Sequence, residues 1–403
     1  MPSNGNASQS NGILIVGGGF AGFWSALAAR RVIDGRAPVT LLSREPVLQM
    51  RPRLYEADPE RLGVDLRPLL HRVGVRFVAG EAADLDPSAR TVTLASGERL
   101  GYARLVVATG SRMRRPDVPG AASAFSVDTQ AEAIAFDRRL AEIAATVPSP
   151  TVGVVGAGFT GIELALELRD RLRAHGAEEA AERLRIVLID RAPVVGPELG
   201  AGPRSAIEAA LTEARIELRL DAAVQALSAN RVELRDGAAV TADAVVLATG
   251  LEAAPFASRI PGERDERGRV VVDRALRAPA VPDVFVTGDA AAADTGDGHR
   301  TLQSCQHALQ LGRFAGENAA RDLLGLPTLD YVQRRYVTCL DLGRSGAVRT
   351  EGWERIVRQT GAEAKAAKRR INRELIYPPA DAPGDALLAM SSTDLAAQGR
   401  PPT

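Results

Sequence analysis

The chain has 403 residues, of which 45% are hydrophobic and 25% charged, which are ordinary values for a globular protein. Its 50 Lys and Arg residues balance its 50 Asp and Glu residues, so the basic excess that is typical of a general nucleic-acid binder is absent. At roughly 100–200 residues per domain, this length predicts two or three domains. No apolar run reaches the roughly 18 residues that a membrane-spanning helix needs.

The cysteines and histidines argue against two further classes of protein. Cys305 and Cys339 are too few for a disulfide scaffold and suit a reducing compartment, so we expect a cytoplasmic protein. The four histidines form no metal-spaced pair with each other or with a cysteine, so we expect no metal site. Residues 1–11 are polar and predict disorder. The apolar run after them lacks a basic flank and is broken by glycines, which excludes a signal peptide.

The first predicted elements are a strand, a glycine-rich turn and a helix within residues 13–32, which read ILIVGGGFAGFWSALAARRV. A β-branched run leads into G-x-G-x-x-G and then into apolar residues with helical spacing. In this pattern Gly17 permits the tight turn, Gly19 lets a pyrophosphate approach the backbone, and Gly22 lets the helix pack against the strand. The free N–H groups at the start of such a helix attract phosphate.

The next strand, VTLLSRE, predicts a ribose contact at its end. Ser43 stands where an acidic residue is usual, and a serine hydroxyl binds a ribose hydroxyl more weakly than a carboxylate does. We therefore predict contacts from Ser43 and the adjacent Arg44, with Glu45 as an alternative acceptor. Further along, the segment LVVATG places Thr109 and Gly110 at the end of another predicted strand.

The same pattern returns in residues 151–172, which read TVGVVGAGFTGIELALELRDRL. The three glycine positions are filled by Gly156, Gly158 and Gly161. The segment VVLATG, which ends at Gly250, repeats LVVATG at nearly the same distance from its glycine turn. Two motif pairs at matching spacing predict two Rossmann-type nucleotide-binding units.

The strand RIVLID of the second unit ends at Asp190. A carboxylate at this point accepts hydrogen bonds from a ribose 2′-OH and repels a 2′-phosphate, so Asp190 favours NADH over NADPH. Arg191 follows directly and weakens that preference, because a guanidinium beside the ribose attracts a 2′-phosphate.

A third apolar strand lies in VPDVFVTGDAAA and ends at Gly288 and Asp289. It precedes a predicted helix over about 303–324, whose start is capped by Thr301 or Ser304. These elements predict an α/β fold with two Rossmann-type dinucleotide-binding domains, one inserted in the other, plus a C-terminal module. The predicted limits are 12–113 and 254–325 for the first domain, 114–253 for the inserted domain, and 326–403 for a C-terminal module with a flexible Pro-rich tail.

On these motifs the chain resembles the flavoproteins with two dinucleotide-binding domains, and more narrowly the type II NADH dehydrogenases, which are single-chain NADH:quinone oxidoreductases. The resemblance covers about residues 12–350. It implies that the first unit binds FAD, that the second binds NADH, and that Asp289 contacts the ribityl or phosphate part of FAD. It also implies that hydride passes from NADH to the flavin and that the electrons then pass to a quinone.

The resemblance extends to further polar residues. Gln306 and Gln310, one helical turn apart, match a motif beside the flavin that is implicated in quinone binding, in which Cys305 replaces an alanine. Arg51 lies in a loop similar to one that packs on the flavin. Glu163, in GFTGIE, matches a glutamate for which the family implies charge or proton handling between nicotinamide and quinone. The competing interpretations are a solvated helix face for the two glutamines, a surface cation for Arg51, and for Glu163 a helix-start acid favoured by the helix dipole.

Three other functions stay open at this point. A sulfide:quinone oxidoreductase needs a cysteine pair at the flavin, and the chain has no C-x-x-C or C-x-x-x-x-C, so only Cys305 supports that alternative. The flavin is also compatible with a reductase for a soluble redox protein or a biosynthetic metabolite. The last alternative is a slow NADH sensor that changes conformation or forms a homodimer on reduction.

Residues 353–376 predict one basic amphipathic helix, with Trp353, Ile356 and Leu375 near one face. The segment carries seven basic residues against three glutamates. Such a helix binds anionic membrane surfaces, so we expect a cytoplasmic protein with peripheral contact at the inner face of the cell membrane. The alternative is that the helix docks on the protein's own body. Residues 380–403 then form a loose tail.

Overall fold

The computed structural model describes residues 11–228, 230–333 and 335–394. Most of the segment predicted to be disordered at the start, and residues 395–403 of the predicted tail, lie outside these described residues. The prediction of a loose tail over 380–403 is wrong for its described part, where Gly384–Ala389 form a helix and Leu387 and Ser391 are buried against the rest of the chain. The α-helices are α1 (Phe20–Ile33), α2 (Arg67–Arg72), α3 (Gln130–Thr146), α4 (Phe159–Ala174), α5 (Glu178–Arg183), α6 (Arg204–Glu213), α7 (Cys305–Leu323), α8 (Gly361–Arg370) and α9 (Gly384–Ala389).

Two five-stranded parallel sheets form the centre of the fold. The first has the order β5 (Arg76–Ala79), β2 (Val39–Ser43), β1 (Ile13–Val16), β9 (Arg104–Val107) and β21 (Val284–Val286). The second has the order β14 (Ile216–Arg219), β13 (Arg185–Ile189), β12 (Thr151–Val155), β18 (Ala244–Leu247) and β11 (Phe125–Ser126). The glycine-motif strand is third in each sheet, which confirms the predicted α/β class.

The register of the two sheets follows from buried apolar runs. In the first sheet Ile13 lies opposite Val39 on one side and Arg104 on the other, and in the second Val152 lies opposite Ile186. Strand β1 is buried along its whole length, and β12 is buried after its first residue. Such continuous burial is expected for parallel strands that are covered on both faces by helices and loops.

Each parallel sheet is accompanied by a three-stranded antiparallel sheet. The strands are β6 (Ala82–Asp86), β7 (Thr91–Leu94) and β8 (Arg99–Gly101) in the first unit, and β15 (Val224–Ser228), β16 (Arg231–Leu234) and β17 (Ala239–Thr241) in the second. The duplication that the glycine motifs indicated therefore includes these sheets. Shorter pairs are β3 (Val47–Gln49) with β4 (Gly63–Asp65), β10 (Ser111–Met113) with β19 (Leu251–Ala253), and β20 (Val270–Val271) with β22 (Ala291–Ala292).

The chain returns to the first sheet after it has built the second, because β21 pairs with β9 in parallel. The β10–β19 pair joins the segments that enter and leave the second unit. The domain limits themselves stay a prediction. The helix predicted over about 303–324 is α7, and Ser304, one of its two predicted caps, accepts a hydrogen bond from the backbone N–H of His307.

Helices α1 and α7 pack closely because glycines face the partner backbone. A Cβ atom on Gly312 would stand 2.4 Å from the carbonyl oxygen of Ala21, and one on Gly316 would stand 2.1 Å from that of Ser25. The two helices therefore run side by side over the first sheet. This contact fixes where the polar face of α7 lies relative to the first glycine turn.

The prediction of one helix over 353–376 is wrong for its first part. Residues 356–360 form β25 (Ile356–Thr360), which completes an antiparallel sheet with β23 (Val337–Asp341) and β24 (Ala347–Glu351). Pairing with β24 is a long-range contact that overrides the weak helical spacing of this segment, and β-branched Ile356 and Val357 favour it.

The helix begins only at Gly361, as α8, and continues as a π-helical turn (Ile371–Leu375). It packs on β23 and β24, with Ala364 and Lys368 buried. This packing corresponds to the alternative prediction, in which the helix docks on the protein's own body. It gives no support to a membrane contact. Within the described ranges, no helix combines the length and apolarity that crossing a membrane requires.

Candidate functional site

A cavity of about 3250 Å³ lies between the two parallel sheets and the C-terminal sheet. Its wall includes Val16 and Ser43 at the carboxyl ends of β1 and β2, and Val155 and Ile189 at those of β12 and β13. In open α/β sheets, ligands bind outside the carboxyl ends of the strands. Both glycine turns therefore open into one common space.

The first glycine turn has the steric features that its sequence predicts. Gly17 has a φ of +114°, and a Cβ atom there would stand 2.3 Å from the carbonyl oxygen of Ala108. A Cβ atom on Gly22 would stand 1.8 Å from the carbonyl oxygen of Gly17. Nothing lies within 4 Å of the Cβ position of Gly19. Gly17 and Gly22 therefore permit the turn and the packing, and Gly19 leaves the start of α1 open to the cavity.

The second glycine turn has the same close backbone contacts, but a protein side chain lies at the position that is open in the first turn. A Cβ atom on Gly156 would stand 2.2 Å from the carbonyl oxygen of Ala248, and one on Gly161 would stand 1.8 Å from that of Gly156. At Gly158, however, the Cβ position is 2.5 Å from Oε1 of Glu198. This oxygen accepts a hydrogen bond from the N–H of Phe159, at the start of α4 (3.1 Å). A protein carboxylate thus faces the N-terminus of α4.

The residues predicted to contact ribose stand at equivalent positions. Ser43 ends β2, half-buried in the cavity wall, and the exposed Arg44 follows it. Asp190 directly follows β13, and its carboxylate accepts hydrogen bonds from the N–H groups of Ala157 (2.6 Å) and Ala192 (2.8 Å). Asp190 is therefore already hydrogen-bonded to the glycine turn of the second unit.

The two ATG segments also reach the cavity. Thr109 and Gly110 follow β9, and Gly250 follows β18. The hydroxyl of Thr109 is buried and has no hydrogen-bond partner within the described part of the chain. A buried polar group without a partner requires an explanation, and a bound ligand at this wall would supply the missing hydrogen bond.

Asp289 belongs to a network of charged groups at the first sheet. Its Oδ2 accepts a hydrogen bond from the hydroxyl of Ser111 (2.7 Å) and lies 4.0 Å from Nη1 of Arg51. Arg51 also forms an ion pair with Asp128. Burial raises the pKa of Asp289 against the opposing effects of Arg51 and Ser111. The structure brings Asp289 and Arg51 together, with Gly288 in the same wall, whereas no sequence motif marked Asp128 or Ser111.

Glu163 is buried on α4 and faces the cavity. Its Oε1 accepts hydrogen bonds from Nζ of Lys368 (2.8 Å) and from the N–H of Asp341 (2.8 Å). Burial raises the pKa of Glu163 to about 7, although the charge of Lys368 acts in the opposite direction. Burial lowers the pKa of Lys368, but the charge and hydrogen bond of Glu163, together with the charge of Asp341, outweigh burial and hold that pKa above its ordinary value. No sequence motif marked Lys368, which is one of the seven basic residues of the segment predicted as an amphipathic helix.

Gln306 and Gln310 both line the cavity from α7 and are half-buried. The side chain of Gln306 accepts a hydrogen bond from the N–H of Val337 (3.1 Å) and donates one to its carbonyl oxygen (3.3 Å). Gln310 accepts a hydrogen bond from Nη1 of Arg313 (3.2 Å). Both side chains are therefore hydrogen-bonded within the cavity wall.

Cys305 and Cys339 line the same cavity as free thiols. Burial raises the pKa of each to about 11, so the unreactive thiol form predominates at neutral pH. The charge of Lys368 acts to lower the pKa of both thiols, but burial outweighs it.

Two Rossmann-type sheets that face one cavity define a pyridine-nucleotide-dependent oxidoreductase of the two-domain flavoprotein class. Residues 11–312 match the family described as "Pyridine nucleotide-disulphide oxidoreductase", and the chain belongs to this family.

The relatives give the same class. The chain is 41% identical over 390 residues to the NADH dehydrogenase-like protein Rv1812c of Mycobacterium tuberculosis, a match that covers 94% of this chain and 98% of the relative. It is 29% identical over 336 residues to the type II NADH:quinone oxidoreductase NdhA of the same organism, covering 71% of this chain and 68% of NdhA. These findings confirm that the protein is an NAD(P)H oxidoreductase and that its cofactors are FAD and NAD(H).

Solved structures share the fold. The sulfide:quinone oxidoreductase from the hyperthermophilic bacterium Aquifex aeolicus aligns with a TM-score of 0.73 at 20% identity and covers 90% of each chain. The ferredoxin reductase for the CYP199A2 system from Rhodopseudomonas palustris aligns with a TM-score of 0.70 at 21% identity and covers 96% of this chain and all of that one. At this identity the likeness is one of fold alone.

Proposed function

We propose that the protein is an FAD-dependent NADH:quinone oxidoreductase that carries out NADH + H⁺ + quinone → NAD⁺ + quinol. The observation that carries this proposal is the convergence of two glycine turns and one polar wall on a single cavity. That wall consists of Gln306, Gln310 and the Glu163–Lys368 pair.

The first unit fits FAD. The open start of α1 at Gly19 receives the pyrophosphate, and the unpartnered hydroxyl of Thr109 finds a hydrogen-bond partner. Ser43 contacts a ribose, and Asp289 holds the ribityl or phosphate part, oriented by Ser111 and Arg51. FAD, when bound, accepts a hydride from NADH and passes the electrons to the acceptor.

The second unit fits NADH. Asp190 accepts from the 2′-OH of the adenine ribose, and its negative charge disfavours a 2′-phosphate. Gly156 and Gly158 let the pyrophosphate reach the start of α4. Because the carboxylate of Glu198 stands at that point, it has to turn aside when NADH binds. NADH is therefore the preferred donor in this proposal.

The acceptor binds on the side of α7. Gln306 is held rigidly by the backbone of Val337, so its amide is a fixed element of the wall, and Gln310 lies one turn further on. Reduction of a quinone to a quinol consumes protons. Glu163, with a pKa of about 7, is protonated in an appreciable fraction of molecules at neutral pH and acts as the proton donor, while Lys368 stabilises the carboxylate that remains.

The test is anaerobic stopped-flow spectroscopy on the purified flavoprotein. NADH should bleach the flavin absorbance, and 1,4-naphthoquinone should restore it within the turnover time. Bleaching without recovery by any quinone would reject the acceptor assignment.

Recovery only by a soluble redox protein, in a reaction that weakens as the salt concentration rises, would favour a reductase for that partner. Slow oxidation by every acceptor, with a change in molecular size, would favour an NADH sensor. Homodimer formation stays a prediction that the same size measurement checks.

A further inference from the structure

The cavity wall contains a buried cation that has no carboxylate partner in the part of the chain that the structure describes. Arg313 lies on α7 and is only 3% exposed, yet it belongs to the lining of the cavity. Lys368 pairs with Glu163 and Arg51 pairs with Asp128, so those cations are neutralised. Among the described residues, no Asp or Glu lies within ion-pair distance of the Arg313 guanidinium.

The carboxylate best placed to neutralise Arg313 is already engaged. Glu317 follows one turn later on α7, at the spacing that favours helix ion pairs. It instead pairs with Arg31 and with Arg321, and it accepts a hydrogen bond from Thr393. One carboxylate therefore serves two guanidinium groups, and the excess of positive charge in this part of α7 falls on Arg313.

The donors of Arg313 are only partly used. Nε donates to the carbonyl oxygen of Met390 (3.1 Å), and Nη1 donates to Oε1 of Gln310 (3.2 Å). Nη2 makes no hydrogen bond to any part of the chain that the structure describes. The guanidinium also lies over the indole ring of Trp24, 4.3 Å from the ring centroid, which fixes its plane. The result is a rigid fork with free donors at the cavity wall.

The physical cost of this arrangement points to a ligand. Burial lowers the pKa of Arg313 to about 10, so the side chain remains a cation at neutral pH. A buried charge is costly unless it is paired, and the planar fork of an arginine matches a carboxylate with two parallel hydrogen bonds. Apolar side chains line the same cavity, including Leu309 on α7 and Leu375 in the π-helical turn. A ligand with an apolar ring and one anionic group suits both features.

Arg355 is the other buried cation of the wall without a carboxylate partner among the described residues, but it serves the opposite side. Its guanidinium lies over the ring of Tyr336 and donates to the carbonyl oxygen of Glu198 (3.4 Å). It therefore stands beside the proposed NADH site, where the donor itself is anionic. Arg313 stands beside Gln310, where the acceptor is proposed to bind.

We propose that the acceptor site selects quinones that carry an anionic group, a ring carboxylate or an ionised ring hydroxyl, and that Arg313 binds this group. The proposal rests on the proposed function only in taking the acceptor to be a quinone. Gln310, which Arg313 contacts directly, is thereby oriented by the same residue that recognises the anion.

The first test is equilibrium binding of two redox-inert ligands to the oxidised holoenzyme, followed by the change in flavin absorbance and by calorimetry. We expect 2-naphthoate to bind about 10- to 100-fold more tightly than 2-naphthamide, which has the same ring without the charge. Arg313→Met should abolish the difference, and Arg313→Lys should retain part of it, because a lysine keeps the charge without the fork. Equal binding of both ligands to the wild-type protein would overturn the proposal.

The matched control is Arg370→Met. Arg370 also lines the cavity, but it is exposed and lies 3.7 Å from Glu374. The preference for 2-naphthoate should persist in this variant. Its loss there would mean that the total positive charge of the cavity, rather than the fork of Arg313, selects the anion. Flavin content and melting temperature of each variant establish that the holoenzyme is intact.

The second test compares KM for 1,4-naphthoquinone-2-carboxylate and for 1,4-naphthoquinone. The wild-type KM should be about 10-fold or more lower for the carboxylate, and Arg313→Met should bring the two values together. If no quinone reoxidises the reduced flavin, the proposed function fails, while the naphthoate titration still reports on the anion site. If both quinones are reduced with equal KM, the anion site fails and the proposed function stands.

Discussion

The two glycine units have the same backbone and differ in what surrounds it. In the first unit α1 is almost wholly buried and starts at an open Gly19. In the second unit α4 carries the buried Glu163, and the exposed Glu198 occupies its start. A phosphate therefore meets no competing carboxylate at the start of α1, but it has to displace the carboxylate of Glu198 at the start of α4. We interpret the first as a site that retains its ligand and the second as one that exchanges it.

Substitution of the packing glycines should separate the units most strongly. A Cβ atom on Gly22 or on Gly161 would stand 1.8 Å from a carbonyl oxygen, and relieving such overlap costs about 1–3 kcal/mol or more. We expect Gly22→Ala to be purified largely without flavin. Gly161→Ala should keep its flavin while reduction by NADH slows about 100-fold, a loss of the order that misplacement causes. Flavin absorbance and stopped-flow reduction measure the two outcomes. Loss of flavin from both variants would show that the units do not act separately.

Glu163 should affect the acceptor half-reaction far more than the NADH half-reaction. Removal of a proton donor typically costs about 100-fold or more, so Glu163→Gln should slow quinone reduction to this extent. The wild-type rate should fall as pH rises above about 7, because the protonated form is the donor and this form is lost through that pKa. In the variant this pH dependence should disappear.

The control is Glu167→Gln, one turn further along α4. Burial raises the pKa of Glu167 to about 8, but this residue lies in the wall of a separate small cavity. Its substitution should change the rate of quinone reduction by less than about 3-fold, the scatter expected of a residue outside the site. An equal loss in both variants would mean that the total charge of α4, and not Glu163, controls the rate.

Asp190, which follows β13, should contribute more to ribose binding than Ser43, which ends β2. Asp190→Ala should reduce the preference for NADH over NADPH by about 10- to 100-fold, since a hydrogen bond to a charged group is worth about 1.5–3 kcal/mol. The matched change Ser43→Ala should weaken FAD binding by only about 5-fold, because a neutral hydrogen bond contributes about 1 kcal/mol. Steady-state kinetics and flavin titration of the apoprotein measure these ratios. A larger effect at Ser43 than at Asp190 would contradict the comparison.

The carboxylate at the start of α4 should have a small effect in the opposite direction. Glu198→Gln removes a negative charge that competes with the NADH pyrophosphate, and such helix-end charges are worth about 0.3–1 kcal/mol. We therefore expect KM for NADH to fall by about 2- to 5-fold. A rise in KM would mean that Glu198 binds NADH directly.

The cysteines should have the smallest effect. Cys305→Ala and Cys339→Ala should leave NADH oxidation by quinones unchanged, because burial holds both thiols in the unreactive form. A sulfide-dependent reduction of the flavin that is lost in Cys305→Ala would revive the sulfide:quinone alternative.

The amino-acid sequence by itself determined the features that depend on local geometry. A tight strand-to-helix turn with close packing admits only glycine at Gly17 and Gly22, so these positions are visible as a motif. The strand ends at Ser43, Asp190 and Asp289 follow from counting along apolar runs. Their meeting in one cavity was not predicted: Ser43 and Asp289 follow the first sheet and Asp190 the second, and only the structure brings them to a common wall.

Only the tertiary structure decided which distant side chains meet. Asp128, Lys368 and Arg313 carry no local signal, and each acquires its chemistry from a partner, or from the lack of one, far away in the chain. The strand at 356–360 was predicted as helix because its apolar spacing is ambiguous and its pairing with β24 is not encoded in its own residues. Burial and long-range pairing set the charge states in the cavity, and neither can be obtained from the order of residues alone.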